Sequence, residues 1–121
     1  MKTLAQIRAQ NALKASRIEG MGRGQKGGDA LSGFPMLIKT DGLLAAAAFA
    51  VELNSKGKPK QEGALLIMDA VAEHLASVGI CEATKARDLL EELANSDDAA
   101  QLRRATAETI AYLNSLKRFV A

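Results

Sequence analysis

His74 and Cys81 are the only histidine and the only cysteine in the chain, and they are the first side chains to weigh for chemistry. One histidine excludes a multi-histidine metal centre. Cys81 could reach His74 across a helix end. A thiol–imidazole pair also needs a third group and a pocket, and the sequence displays neither. His74 therefore reads as structural and Cys81 as a small buried hydrophobe. The carboxylate pairs Glu91-Glu92 and Asp97-Asp98 are neighbours in sequence. Neighbours on a helix diverge, so they do not form an acid/base pair. Ser16, Ser55 and Ser96 stand in no nucleophile motif. Gly22, Gly24 and Gly27 match G-x-G-x-x-G, but a helix rather than a strand precedes them, so no dinucleotide site follows. The reading is a non-enzyme, with no catalytic residue, no metal and no cofactor.

The remaining chemistry is cationic. The net charge is only +2, yet residues 1–60 hold ten Lys/Arg against four Asp/Glu, and residues 61–121 hold six against ten. The split suggests a basic surface in the first half and an acidic one in the second. The alternative is ordinary variation over a solvated surface.

These groups must be placed by helices. Ala and Leu are abundant, aromatics make up 3% and Trp is absent, so the core is built of small aliphatic side chains suited to close helix packing. Thr3–Glu19 reads as a first helix ending at Gly20, with Leu4, Ile7, Ala15 and Ile18 on one apolar side. Ala5, Ala9, Ala12 and Leu13 make a shallower second side. Gln6, Gln10, Lys14 and Arg17 fill the outer arc. Arg8 falls beside the apolar side and needs a carboxylate, carbonyl or phosphate partner.

Gly20–Gly33, with six of the ten glycines, reads as a flexible basic loop. A short helix from Pro35 to about Lys39 follows, then a helix Gly42–Asn54 capped by Thr40 or Asp41. That helix is apolar on nearly every side, as expected of a central or interface helix. Ser55–Lys60 reads as an exposed basic turn bearing Lys56, Lys58 and Lys60. Gln61–Val78 is amphipathic, burying Ala64, Ile67, Met68, Val71, Leu75 and Val78 and turning Glu62, Asp69 and Glu73 outward. Gly79 fits a left-handed cap. Helices at about Ala83–Ala94 and Ala99–Phe119 complete the chain, the second capped from Ser96-Asp97-Asp98. The expected fold is all-α: one domain over residues 1–121, a compact bundle of five to six antiparallel helices. No stretch is long and apolar enough to span a bilayer, and the lone cysteine fits a reducing cytoplasm.

Three segments together carry a family likeness. They are Gln6-Ile7-Arg8-Ala9 with Ala12; Phe34-Pro35-Met36-Leu37-Ile38 with Gly42-Leu43 and Ala48-Phe49; and Leu102-Arg103-Arg104-Ala105-Thr106 with Glu108, Tyr112-Leu113 and Leu116-Lys117-Arg118-Phe119. In this order and spacing the chain resembles the small subunit of the Cmr-type (type III-B) CRISPR RNA-targeting complex. The resemblance implies a non-catalytic helical subunit of an antiviral ribonucleoprotein. It implies partners among the other Cmr-type subunits, backbone contacts to guide RNA and target RNA, and stacking or weak self-association of copies.

A guide–target duplex is a polyanion, and Lys and Arg bind such a backbone through counterion release and charge-assisted hydrogen bonds. Scarce aromatics argue against stacking on splayed bases. The expected phosphate contacts are Arg8, Lys14, Arg17 and Lys39, then Arg103, Arg104 and Arg118. Each has a plainer alternative as a surface ion pair, illustrated by Arg104 and Glu108 one turn apart. The competing function is a helical protein–protein adaptor without nucleic-acid contact, using the Leu43–Leu53 helix and an exposed Leu66.

Overall fold

The computed structural model describes residues 1–21 and 26–120, with side chains of residues 26–30 left aside. Six helices follow in order: α1 Leu4–Ser16, α2 Lys26–Asp41, α3 Leu43–Ala50, α4 Glu62–Ser77, α5 Ala86–Asn95 and α6 Ala99–Phe119. Among the described residues there is no strand, only an isolated antiparallel bridge between Leu53 and Pro59. The fold is all-α, as the composition predicts. α1 packs on α6, α2 on α4, and α3 on α2 and α5.

Local signals explain three of the helix ends. Thr3 starts α1 with a capping box: Gln6 N–H donates to its hydroxyl at 3.1 Å, and its own N–H donates to the Gln6 side chain at 2.7 Å. Asp98 starts α6 by accepting from the N–H groups of Ala100 and Gln101. Gly79, at φ +79°, ends α4 in the left-handed region, and Ile80 N–H returns to Leu75 O at 3.0 Å.

The stretch before Gly42 departs from expectation. α2 begins at Lys26, so residues 26–33 are helical in place of the expected loop, while residues 22–25, with most of the G-x-G-x-x-G match, lie outside the described residues. Pro35 sits inside this helix rather than opening one. It leaves the carbonyl of Leu31 without its helical donor, normally a costly break. Leu31, Phe34 and Ile38, at i, i+3 and i+7, are each only 2% exposed, and burying that stripe holds the helix through the proline. Glycine propensity is a weak prior beside tertiary burial. Neither Thr40 nor Asp41 caps α3: Asp41 is the last residue of α2, and Gly42, at φ +96°, makes the break.

The core is continuous and built largely of alanine and leucine. α1 enters it through Ala12 and Ala15, not through the larger side chains its periodicity favours. Leu4 and Ile18 are 46% and 43% exposed. Two alanines permit a closer approach to α6 than leucines would, which turns the bulky residues to the rim. α3 is shorter than expected and one-sided. Leu43, Ala46, Ala47 and Ala50 are buried, whereas Ala45, Ala48 and Phe49 face outward. On α4 the predicted stripe is buried except Val78, which is half-buried, and Leu66 is half-buried rather than exposed. Asp69 does not join the outer acidic face; its carboxylate accepts the N–H of Ala86 at 2.7 Å and so caps α5 from α4. Phe119, at the end of α6, is 38% exposed. α4 and α6 run in opposite directions, since Gln101 meets Ile80 while Glu108 meets His74.

Candidate nucleic-acid interface

Arg8 is the one predicted phosphate contact that is not exposed, and it has a partner. Its Nε donates to Glu108 Oε2 at 2.7 Å and its Nη2 to Glu108 Oε1 at 2.8 Å, a two-pronged pair between α1 and α6. His74, on α4 and 1% exposed, reaches the same carboxylate: Nε2 lies 2.8 Å from Oε2. Asn11 Nδ2 lies 2.9 Å from His74 Nδ1 and donates to Ser77 Oγ at 2.7 Å. Ser77 Oγ in turn donates to His74 O at 2.8 Å. The imidazole stacks on Tyr112, with centroids 4.4 Å apart and planes 10° from parallel. Every role is satisfied by one tautomer: neutral His74 donates from Nε2 to Glu108 and accepts at Nδ1 from Asn11.

The electrostatics agree with that assignment. Burial depresses the His74 pKa, outweighing the opposite pull of Glu108. Burial pushes the Glu108 carboxyl up, but hydrogen bonds from Arg8 and His74 overcome it and hold the group below the usual carboxylate value. The hydrogen bond to Glu108 raises Arg8 further and keeps it charged. This network fastens α1, α4 and α6 together. It replaces the Arg104–Glu108 surface pair suggested by one-turn spacing, because the Glu108 carboxylate is already occupied.

Two other expectations about chemistry are resolved by position. Cys81 belongs to a separate cluster, within 3.9 Å of Gln101 Nε2, and burial raises its thiol to about 11. A thiol so high is a poor nucleophile near neutral pH. Glu92, one of the adjacent carboxylates, accepts from the N–H groups of Glu82 and Ala83 and from Gln101, which ties the α4–α5 turn to α6. Among the described residues no group of three or more His, Cys, Asp or Glu is gathered as a metal site would require. No helix among them is long and apolar enough to cross a membrane.

Lys14, Arg17, Lys39, Arg103, Arg104 and Arg118 are all exposed, and none has a carboxylate partner among the described residues. Lys14, Lys39 and Arg118 lie in the last turns of their helices, where the helix dipole favours a cation. At about 100° per residue, Arg103, Arg118 and Arg104 fall within one arc of about 100° on α6, spread along about 22 Å of its axis. The other exposed residues there, Ala107 and Asn114, carry no charge, so the outer face of α6 is a cationic strip without an acid.

Glu108, read from sequence as a surface partner of Arg104, is instead buried. A signal existed: it lies three residues after Ala105 and four before Tyr112, both buried, so it sits in the apolar stripe of α6. A carboxylate in a buried stripe requires a partner, as does Arg8 in its own.

The chain's relatives fit this architecture. A CRISPR-associated Cmr5 family protein from Thermus thermophilus, known from an X-ray crystal structure, superposes with a TM-score of 0.71 and 28% sequence identity, covering 98% of this chain and 95% of that one. No curated protein matches. The family model for the CRISPR-associated protein Cas_Cmr5 matches residues 4–121, nearly the whole length, and the chain therefore belongs to the Cas_Cmr5 family, the small subunits of Cmr-type complexes.

Proposed function

We propose that this protein is a non-catalytic small subunit of a type III-B CRISPR ribonucleoprotein in antiviral defence, supporting guide and target RNA through phosphate-backbone contacts while it packs on other Cmr-type subunits in the cytoplasm. The observation that carries the RNA reading is the outer face of α6, where Arg103, Arg104 and Arg118 share one strip with no carboxylate partner among the described residues. Unmatched cations on a rigid helix bind a polyanion without reading its sequence, because counterion release depends on charge and spacing alone. Lys14, Arg17 and Lys39 are further exposed cations, at the C-terminal ends of α1 and α2. Arg8 supports the proposal indirectly, by fastening α1 to α6, since Glu108 engages its guanidinium.

Co-purification tests this reading. The tagged chain, expressed in its native host, is expected to bring down large CRISPR subunits together with small RNAs. A native assembly free of RNA would overturn it. Protein contacts in that assembly have a candidate surface of their own, the outward face of α3 with Ala45, Ala48 and Phe49, the last 37% exposed. This face also favours the adaptor reading, which predicts an assembly that survives nuclease treatment intact.

A further inference from the structure

The segment between α3 and α4 is a tight basic hairpin. Asn54 N–H donates to Lys58 O at 2.8 Å, Gly57 N–H to Asn54 O at 3.0 Å, and Lys60 N–H to Glu52 O at 2.9 Å. The Asn54 side chain braces the tip from within: its Oδ1 accepts from the N–H groups of Lys56 and Lys58 at 2.8 and 3.1 Å. Gly57, at φ +75°, supplies the backbone conformation the tip requires. At the base, Arg87 of α5 donates to Val51 O at 3.2 Å and ties the hairpin to the bundle.

This scaffold presents three lysines at alternate positions. Lys60 has one carboxylate 3.5 Å away, Glu52, and both are exposed. Lys56 and Lys58 have none among the described residues. Like charges held on a fixed turn repel one another, and no carboxylate among the described residues neutralises Lys56 or Lys58. An anion with regularly spaced charges would relieve that repulsion. The backbone is already braced, so little ordering entropy opposes its binding.

We infer that the Glu52–Lys60 hairpin is a second, separate phosphate-contacting element, gripping the phosphodiester backbone of RNA through Lys56 and Lys58. The inference rests on the RNA reading proposed above but uses residues outside the helical surface. Lysine suits the task because its ammonium is a point charge that tolerates many phosphate positions. No aromatic side chain lies in the segment, so bases are not read there. Asn54 is a positioning residue, acting through the backbone of the tip.

The test measures binding of the full-length chain to a labelled single-stranded RNA of mixed sequence between about 50 and 200 mM salt. The variant Lys56→Gln/Lys58→Gln alters only exposed side chains and keeps the fold. Its slope of log affinity against log salt is expected to be shallower by about 1.4 units, at about 0.7 per single-strand phosphate. Asn54→Ala keeps both charges, so it is expected to weaken binding with little change in slope. If the parent chain shows salt-dependent binding and the double variant keeps its slope, the hairpin inference is wrong and the helical surface stands. Absence of salt-dependent RNA binding by the parent chain would remove both. If polyglutamate binding is lost in the double variant while RNA binding is not, the hairpin docks an acidic protein and not RNA.

Discussion

Arg8 and Glu108 are 100 residues apart in sequence, yet Arg8 Nε lies 2.7 Å from the Glu108 carboxylate. The pair closes the first helix of the chain onto the last. Breaking a buried ion pair from one side leaves an unmatched charge, at about 3–5 kcal/mol. The Arg8 side chain is 23% exposed, so water relieves part of that cost. Arg8→Ala is expected to destabilise the fold by about 2–3 kcal/mol. Urea unfolding of Arg8→Ala, Glu108→Gln and the double variant checks it. A coupling energy near zero would contradict the geometry.

Acid should loosen the same junction. The folded-state pKa of His74 is lowered from the ordinary value of about 6.5, so the unfolded chain takes up this proton first as pH falls. The stabilisation from His74 is therefore full above about pH 6.5 and declines as pH drops below it, until the folded imidazole is itself protonated. Glu108 acts in the same direction at lower pH, because its folded pKa is also lowered. Thermal unfolding across pH 8 to 5 should show a falling midpoint, and His74→Gln should flatten the upper part of that fall. A midpoint that rises in acid would exclude a neutral buried His74.

The contact between α1 and α6 depends on small side chains. Ala12 has no exposure at all. Ala12→Leu would force three added carbons into filled space, at about 1–3 kcal/mol. Leu13→Ala, one position on but 41% exposed, is expected to change stability by under about 1 kcal/mol. Denaturant midpoints of the two variants should differ accordingly.

Gly79 offers a clean test of backbone conformation. A Cβ built there meets no atom within 4 Å, so the penalty for Gly79→Ala is conformational alone. At φ +79° that penalty is about 1–2 kcal/mol. Unfolding equilibria measure it. A neutral effect would mean that α4 ends otherwise.

The exposed arginines of α6 should matter for binding and not for folding. Arg103→Gln/Arg104→Gln is expected to leave stability within about 0.5 kcal/mol of the parent chain. The salt slope for single-stranded RNA should fall by about 0.7 per lost phosphate contact. A large loss of stability would mean that these side chains have structural partners.

Much of the architecture was legible from local pattern. The ends of α4 and α6, the cap at Asp98 and the left-handed Gly79 all follow from residues within a few positions of one another. Exposure of Lys14, Arg17, Arg103, Arg104 and Arg118 also follows from their helical register. α2 escapes such a reading because its glycines and Pro35 oppose helix formation locally, while the burial of Leu31, Phe34 and Ile38 that overrides them arises only in contact with other helices.

The amino-acid sequence alone determined that the chain is helical, where most helices stop, and that Arg8 requires a carboxylate, carbonyl or phosphate partner. It could not say which carboxylate answers Arg8, because nothing within a turn or two of α1 supplies one. Only the tertiary packing of α1, α4 and α6 chose Glu108, drew His74 to the same oxygen and left the exposed arginines of α6 without a carboxylate partner among the described residues. Ion pairing between distant segments depends on where helices meet in space, and helical periodicity carries no information about that meeting beyond the face it turns inward.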